Sequence, residues 1–283
     1  MSRSLSFSKM HGAGNDFVLL NGFHQALPVL SPLARAMCDR HFGIGADGLM
    51  AASPSSTSDI RMAYYNSDGS EGEMCGNGIR CFAKFVYEKG LMAKTTFTVE
   101  TRAGEKEVRL KLDSAGEVAS VSVDMGRPLF PHEQVPTILN GSPAVKAPIT
   151  AGGRTVYVTA LRMGVPHCVI LVDDMDATDV DGLGKIIESH PAFPEKVNVN
   201  FMQVISPKEF MIKTYERGAG HTLACGTGCC SCAAAGKLMG ILDSDVTARA
   251  EGGTLFIRIN DAYDITMEGP AAFICDGVWP VRE

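Results

Sequence analysis

Apolar and polar positions alternate with a period of two over Thr96–Thr101, Val108–Leu112, Val118–Val123, Thr155–Leu161, Cys168–Val172, Phe210–Tyr215, Leu255–Ile259 and Tyr263–Met267, which predicts strands. Val108, Leu110 and Leu112 face one way there, and Glu107, Arg109 and Lys111 the other. Gly, Asp or Asn joins many of these stretches, as in hairpins. A helical period marks Ser31–His41, with Leu33, Met37 and Cys38 on one side and Pro32 in the first turn. It recurs over Gly78–Lys89, where Ile79, Phe82, Ala83 and Val86 form an apolar face and Gly90 supplies a stop. Thr178–Glu188 and Gly228–Met239 complete the predicted helices. The last is built from small residues on all sides, so it is expected to be buried and closely surrounded. Pro128–Thr150 carries five of the 14 prolines and is the predicted linker.

The two halves of the chain repeat each other. Tyr65-Asn-Ser-Asp-Gly-Ser-Glu-Gly-Glu-Met-Cys75-Gly-Asn-Gly78 is echoed by Tyr215-Glu-Arg-Gly-Ala-Gly-His-Thr-Leu-Ala-Cys225-Gly-Thr-Gly228. Tyr65 and Tyr215 are separated by the same interval as Cys75 and Cys225. A weaker echo pairs Met10–Val18 with Met163–Ile170. Duplication predicts an α/β (α+β) protein of two like domains with a site in the cleft between them, the two Cys-Gly-x-Gly loops opposed across one ligand.

Composition narrows the function. A 283-residue chain with 45% hydrophobic and 20% charged residues is ordinary for a globular protein. Its net charge of -6 comes without a basic run, which argues against nucleic acid or an anionic membrane as partner. No apolar stretch is long enough to span a bilayer, and Met1–Met10 lacks a signal-peptide core, so the expected location is cytoplasmic. The 9 cysteines are odd in number, which favours reduced thiols. Gly43-Ile-Gly-Ala-Asp-Gly48 follows no clear strand and lacks a P-loop lysine, so it is not read as a nucleotide loop.

Cys-Gly-x-Gly ahead of a helix has a specific chemistry. A helix N-terminus presents unpaired N–H groups and a partial positive charge, and glycine lets an anion approach the backbone. A cysteine there is expected to have its pKa lowered. Each half therefore offers a proton-exchanging thiol beside an anion cradle. Two such thiols on opposite faces of one α-carbon suit racemisation: one removes the proton, the other delivers one. The carbanion needs its carboxylate held by N–H groups. No cofactor signature accompanies them. Cys38, Cys81, Cys168 and Cys275 read as packing. Cys225, Cys229, Cys230 and Cys232 lie within about one helix, where side chains fan out, a poor arrangement for zinc, and no metal is expected. A Cys-x-x-Cys redox pair there is equally weak.

The motifs Met10–Phe17, Arg40–Asp47, Asn66–Ser70, Cys75–Gly78, Pro166–Cys168, Val197-Asn198, Tyr215–Gly218 and Ala224–Gly228 together resemble the diaminopimelate epimerase family. The resemblance implies two pseudo-symmetric domains, each a curled, barrel-like sheet around a central helix. The first would hold residues 1–125 with a returning strand in about 271–283, the second 126–270. It implies cofactor-independent epimerisation of a small amino acid, LL-2,6-diaminopimelate to its meso form, and is compatible with a homodimer. Cys75 and Cys225 would be acid and base, their pKa values tuned by His167 and Glu216. Gly76, Asn77, Gly226 and Thr227 would hold the reacting carboxylate. Asn15, Asn66, Asn198, Glu216 and Arg217 would bind the substrate's polar groups. Three positions depart from the family pattern: Val165 stands where many members have Asn, Gly48 where some have Gln, and His221 where Glu is usual. His221 is expected either to raise the thiolate content of Cys225 when protonated or to touch the substrate. Alternatives are racemisation of another amino acid, such as histidine, by the same two thiols, and a non-catalytic amino-acid-binding protein.

Overall fold

The computed structural model describes residues 4–131 and 133–281. The described residues fall into two compact units, one within Met1–Asp124 and Glu268–Glu283, the other within Met125–Met267.

The first unit begins with β1 (Ser4–Gly12), β2 (Asn15–Asn21), α1 (Leu30–Cys38), β3 (Gly48–Ser53) and β4 (Ile60–Asn66). It continues with α2 (Gly76–Glu88), β5 (Thr96–Thr101), β6 (Gly104–Leu112) and β7 (Val118–Gly126). β1 and β2 form a hairpin, α1 crosses over to set β3 parallel to β2, β4 turns back on β3, and α2 crosses over to set β5 parallel to β4. β5, β6 and β7 follow as an antiparallel meander.

The second unit repeats that order. It comprises β8 (Ala147–Ala151), β9 (Arg154–Met163), β10 (Val165–Leu171), α3 (Val180–Glu188), β11 (Asn198–Ser206) and β12 (Glu209–Glu216). There follow β13 (Gly220–Thr222), α4 (Gly226–Leu238), β14 (Asp245–Ala250) and β15 (Gly253–Ile259). β9 and β10 form the hairpin, α3 leads to the parallel β10–β11 pair, and α4 to the parallel β12–β14 pair. The chain then runs through β16 (Ile265–Gly269) into β17 (Ala272–Pro280), which pairs antiparallel with β1. In the first unit β17 flanks the opening hairpin, as β8 does in the second.

Each sheet wraps a helix. α4 touches β9, β10, β11, β12, β14 and β15. Strands lie about 4.8 Å apart, so a flat sheet of that many would be more than twice the width of a helix; the sheet must curl. α2 makes the same kind of contact with β1, β2, β3 and β6. The expected barrel-like closure is not reached. Strand pairing in each unit is an open ladder, with β8 at one end and β15 toward the other in the second.

Composition explains why these two helices sit inside. Every residue of α4 from Cys229 to Gly236 is buried, and a Cβ on Gly236 would lie 2.3 Å from Leu242 Cδ1. In α4 the small side chains let strands approach closely from all sides. Both helices end alike: Gly90 and Gly240 adopt positive φ (72° and 69°). The following residues, Leu91 and Ile241, donate back to Val86 and Gly236. This Schellman closure satisfies the last carbonyls and demands glycine.

Three expectations are corrected. α2 and α4 start two residues earlier than predicted, at Gly76 and Gly226. The Pro128–Thr150 stretch is not a free linker: Val135, Leu139 and Ala144 are buried in the core of the second unit, and Leu129 bridges Arg162. Cys275 is exposed rather than packed. Among the described residues no helix is long and apolar enough to cross a membrane.

Candidate active site

In the first unit, Cys75 occupies the N-cap position of α2 with extended backbone. Its Sγ lies 3.4 Å from Asn15 Oδ1, on the strand that follows the β1–β2 turn. Asn15 is itself oriented: its Nδ2 donates to Asp47 at 2.6 Å, and Arg40 bonds both Asp47 and Asp16. Burial opposes the charge on Asp16, but Arg40 and Lys9 outweigh it and hold its carboxyl below the usual range. Asn66 ends β4, accepts the Tyr64 hydroxyl at 2.8 Å and donates to Ser70. Gly48 is explained by the same tyrosine, since a Cβ there would lie 2.7 Å from the Tyr64 ring.

Gly76 and Asn77 form the first turn of α2, and both are buried. Beneath them lies Arg80, wholly buried, which sequence reading did not single out. Its guanidinium donates to Gly76 O (2.9 Å), Asn77 Oδ1 (2.8 Å) and Pro270 O (3.3 Å). The available signal was a lone arginine on an otherwise apolar helix face, one turn after the glycines.

In the second unit, Cys225 is the N-cap of α4 and is buried. Its thiol donates to Glu216 Oε2 at 3.2 Å, and Thr227 Oγ1 lies 3.4 Å from the sulfur. The Thr222 hydroxyl holds the other carboxylate oxygen of Glu216 at 2.7 Å. Sequence reasoning expected the helix terminus to lower this thiol's pKa. Instead burial, and then the Glu216 charge, push it well above its ordinary value, against the opposing bonds from Thr227 and the Gly228 N–H. Desolvation of the charged form exceeds the pull of the helix terminus.

His221 is directed elsewhere. Its ring nitrogens meet Glu251 at 2.6 Å and Asp181 at 3.5 Å.

His167 is wholly buried on β10, beside Asn198 in the parallel register with β11. Burial first, and the Arg217 charge as well, lower its pKa to about 3. Asn198 Oδ1 accepts the Arg217 backbone N–H at 2.7 Å. The Arg217 side chain is exposed and donates to Glu195 O. Asn200 is a second residue missed by the sequence reading. It lies two positions beyond Asn198, hence on the same face of the strand. The structure thus groups Asn15 with Cys75, and Glu216 and Thr227 with Cys225. His167, Asn198 and Arg217 form a neighbouring set around Asn200.

The thiols at Cys229, Cys230 and Cys232 are buried within α4, and burial raises that of Cys232. Among the described residues no cluster of His, Cys, Asp or Glu has the arrangement of a metal site.

The chain as a whole is similar to known proteins. The family model described as Diaminopimelate epimerase matches residues 7–131 and 159–274. A diaminopimelate epimerase of Heliobacterium modesticaldum is 46% identical over 283 residues, covering 98% of this chain and 100% of the relative. One from Desulforudis audaxviator is 47% identical over 277 residues, covering 97% and 99%. Among solved structures, a hydroxyproline epimerase from Agrobacterium vitis with bound trans-4-hydroxy-L-proline superposes with a TM-score of 0.76 at 14% identity, covering 100% of this chain and 95% of that one. A methylitaconate-delta-isomerase gives 0.66 at 12% identity, covering 98% and 95%. At such identities these structures show a shared fold.

Proposed function

The chain belongs to the diaminopimelate epimerase family, and from that premise we propose that it interconverts LL- and meso-2,6-diaminopimelate, a step toward lysine and peptidoglycan, with Cys75 and Cys225 as the acid–base pair. The observation that carries the chemistry is the Cys225 thiol bonded to Glu216 at the mouth of a buried helix.

An α-proton beside a carboxylate is weakly acidic, so the carbanion must be stabilised as it forms. The first-turn N–H groups of Gly76, Asn77, Gly226 and Thr227 serve that purpose, since helix N-termini favour negative charge. Cys225 rests as a thiol, ready to deliver a proton to the α-carbon. In the opposite direction Glu216 accepts the thiol proton first, leaving a thiolate to abstract the α-proton. Thr222 fixes Glu216 for this transfer. Cys75 plays the complementary part, its thiol oriented by Asn15. Asn66, Asn198 and Arg217 bind the substrate's remaining polar groups; a guanidinium suits a carboxylate there.

Two reacting thiols require a reducing compartment, which supports a cytoplasmic location. A homodimer is part of the same reading and is checked by sedimentation. A second reading, racemisation of another amino acid such as histidine, rests on Val165, which offers no hydrogen bond where many members have Asn. The deciding experiment is α-proton exchange in D2O, followed by NMR, for reduced protein with LL-diaminopimelate and separately with L-histidine, L-lysine and L-glutamate. Exchange with diaminopimelate alone, lost in Cys75→Ala and in Cys225→Ala, is the expected result. Exchange only with another amino acid would move the substrate. No exchange with any would remove the enzymatic reading in favour of a binding protein.

A further inference from the structure

His167 is wholly buried, and among the described residues its Nε2 has no hydrogen-bond partner. Its other nitrogen, Nδ1, lies 3.1 Å from Asn200 Nδ2. Which end of the Asn200 amide faces the ring follows from its other neighbours. Nδ2 lies 3.0 Å from Cys168 O and 3.4 Å from Asn198 O, both acceptors only. Turning the amide over would set its oxygen against those carbonyls. Oδ1 in turn lies 3.2 Å from the Thr214 hydroxyl, which donates to it. Three contacts therefore agree that Asn200 presents N–H to His167, and Nδ1 must accept. An imidazole that accepts at Nδ1 and stays neutral carries its proton on Nε2.

We propose that Asn200 is a positioning residue that fixes the tautomer of His167, placing the ring proton on Nε2 so that His167 works as a hydrogen-bond donor to an anion formed or bound during the reaction. The anion is a carboxylate oxygen of the substrate or a catalytic thiolate. Burying an N–H without a partner costs stability. Such a group persists where an incoming acceptor completes it. The lowered pKa of His167 agrees with this, because a neutral ring near neutral pH cannot donate from both nitrogens. Arg217 is the charged group that acts on the ring, and it favours the same neutral form. The role of the anion rests on the epimerase reading; the tautomer does not.

The test is the long-range 1H–15N spectrum of the histidine rings in full-length, ligand-free protein at neutral pH, with His167 assigned by substitution. A neutral ring protonated on Nε2 is expected. A ring protonated on Nδ1, or an imidazolium, would overturn the proposal. In Asn200→Asp, the carboxylate accepts at that position and draws the proton to Nδ1. The tautomer should reverse, and exchange should fall about 10- to 100-fold, as when the partner orienting a functional histidine is lost. Circular dichroism confirms that the variant is folded. Retention of the Nε2 proton in the folded variant would count against Asn200 as its cause. Titration of diaminopimelate into Cys75→Ser and Cys225→Ser separates the two acceptors. An Nε2–H shift that persists there identifies the carboxylate; one seen only with both thiols present identifies the thiolate; none in any form of the protein overturns the donor role. Loss of exchange in the wild type with the Nε2 proton in place would instead sink the epimerase reading alone.

Discussion

Cys225 and Glu216 share one proton across 3.2 Å, and the burial of the sulfur keeps that proton on Cys225. The pair therefore rests as thiol and carboxylate, the state in which one member can give a proton and the other can take it. In Glu216→Gln the like charge is gone, so the pKa of Cys225 should fall while burial still holds it high. Alkylation of Cys225, followed against pH by mass spectrometry, should shift to lower pH. Exchange of the α-proton should nonetheless drop about 10²- to 10⁴-fold, the usual worth of a positioned proton acceptor. A more reactive thiol in a slower enzyme would separate the role of Glu216 from mere activation of the cysteine.

Gly228 is a position where a single methyl group should be costly. A Cβ there would lie 2.4 Å from Asn200 Oδ1 and 3.2 Å from both Thr214 Oγ1 and Cys225 Cβ. None of these can retreat freely. Gly228→Ala is expected to destabilise the protein by about 1–3 kcal/mol, as overpacking of an interior does, measured from the urea midpoint. It should also disturb the Asn200–Thr214 hydrogen bond.

Arg80 is the counterpart in the first unit. Arg80→Met retains most of the volume but leaves Gly76 O and Asn77 Oδ1 without that donor. Each lost hydrogen bond to the charged guanidinium costs about 1.5–3 kcal/mol. Arg80→Lys should recover only part of this, because an ammonium cannot reproduce the guanidinium fork. Denaturant titration of both variants checks the order.

The buried thiols predict weakening in alkali. Cys38 and Cys81 are pushed up to about 12, and Cys168, Cys225 and Cys232 are also raised, burial being the first cause in each. An unfolded chain loses these protons near pH 9, whereas the folded chain keeps them. The folded state then binds more protons, so stability is fully present below about pH 9 and falls as pH rises toward the folded values. Urea midpoints at rising pH should decline, and Cys38→Ala should flatten the decline while lowering stability at neutral pH.

The cysteine loops were legible because duplication repeats a rare combination of residues at a fixed interval. The ladder beyond them was less so. β3 is buried at five of its six positions, and β11 opens with five buried residues, so neither alternates. The glycines at 76 and 226 read as loop, yet they open the first turns of the two central helices. Prolines suggested a linker around Val135 and Leu139, but apolar side chains between them pack into a core. The sign of the Cys225 shift was out of reach, because sequence discloses a helix end and not the depth at which it lies. The partner of His221 was out of reach for a similar reason: Glu251 lies 30 residues away.

The pairing of β17 with β1 has a consequence for how the chain comes into being. Unit two is written in one unbroken run, but unit one needs the stretches on both sides of it. On a ribosome, the second unit's residues are all available before the first unit's last strand has emerged. Until then β1 shows an open edge on that side, and the Arg80 guanidinium lacks its carbonyl from Pro270. The seat of Cys75, though encoded early, is the last to be finished.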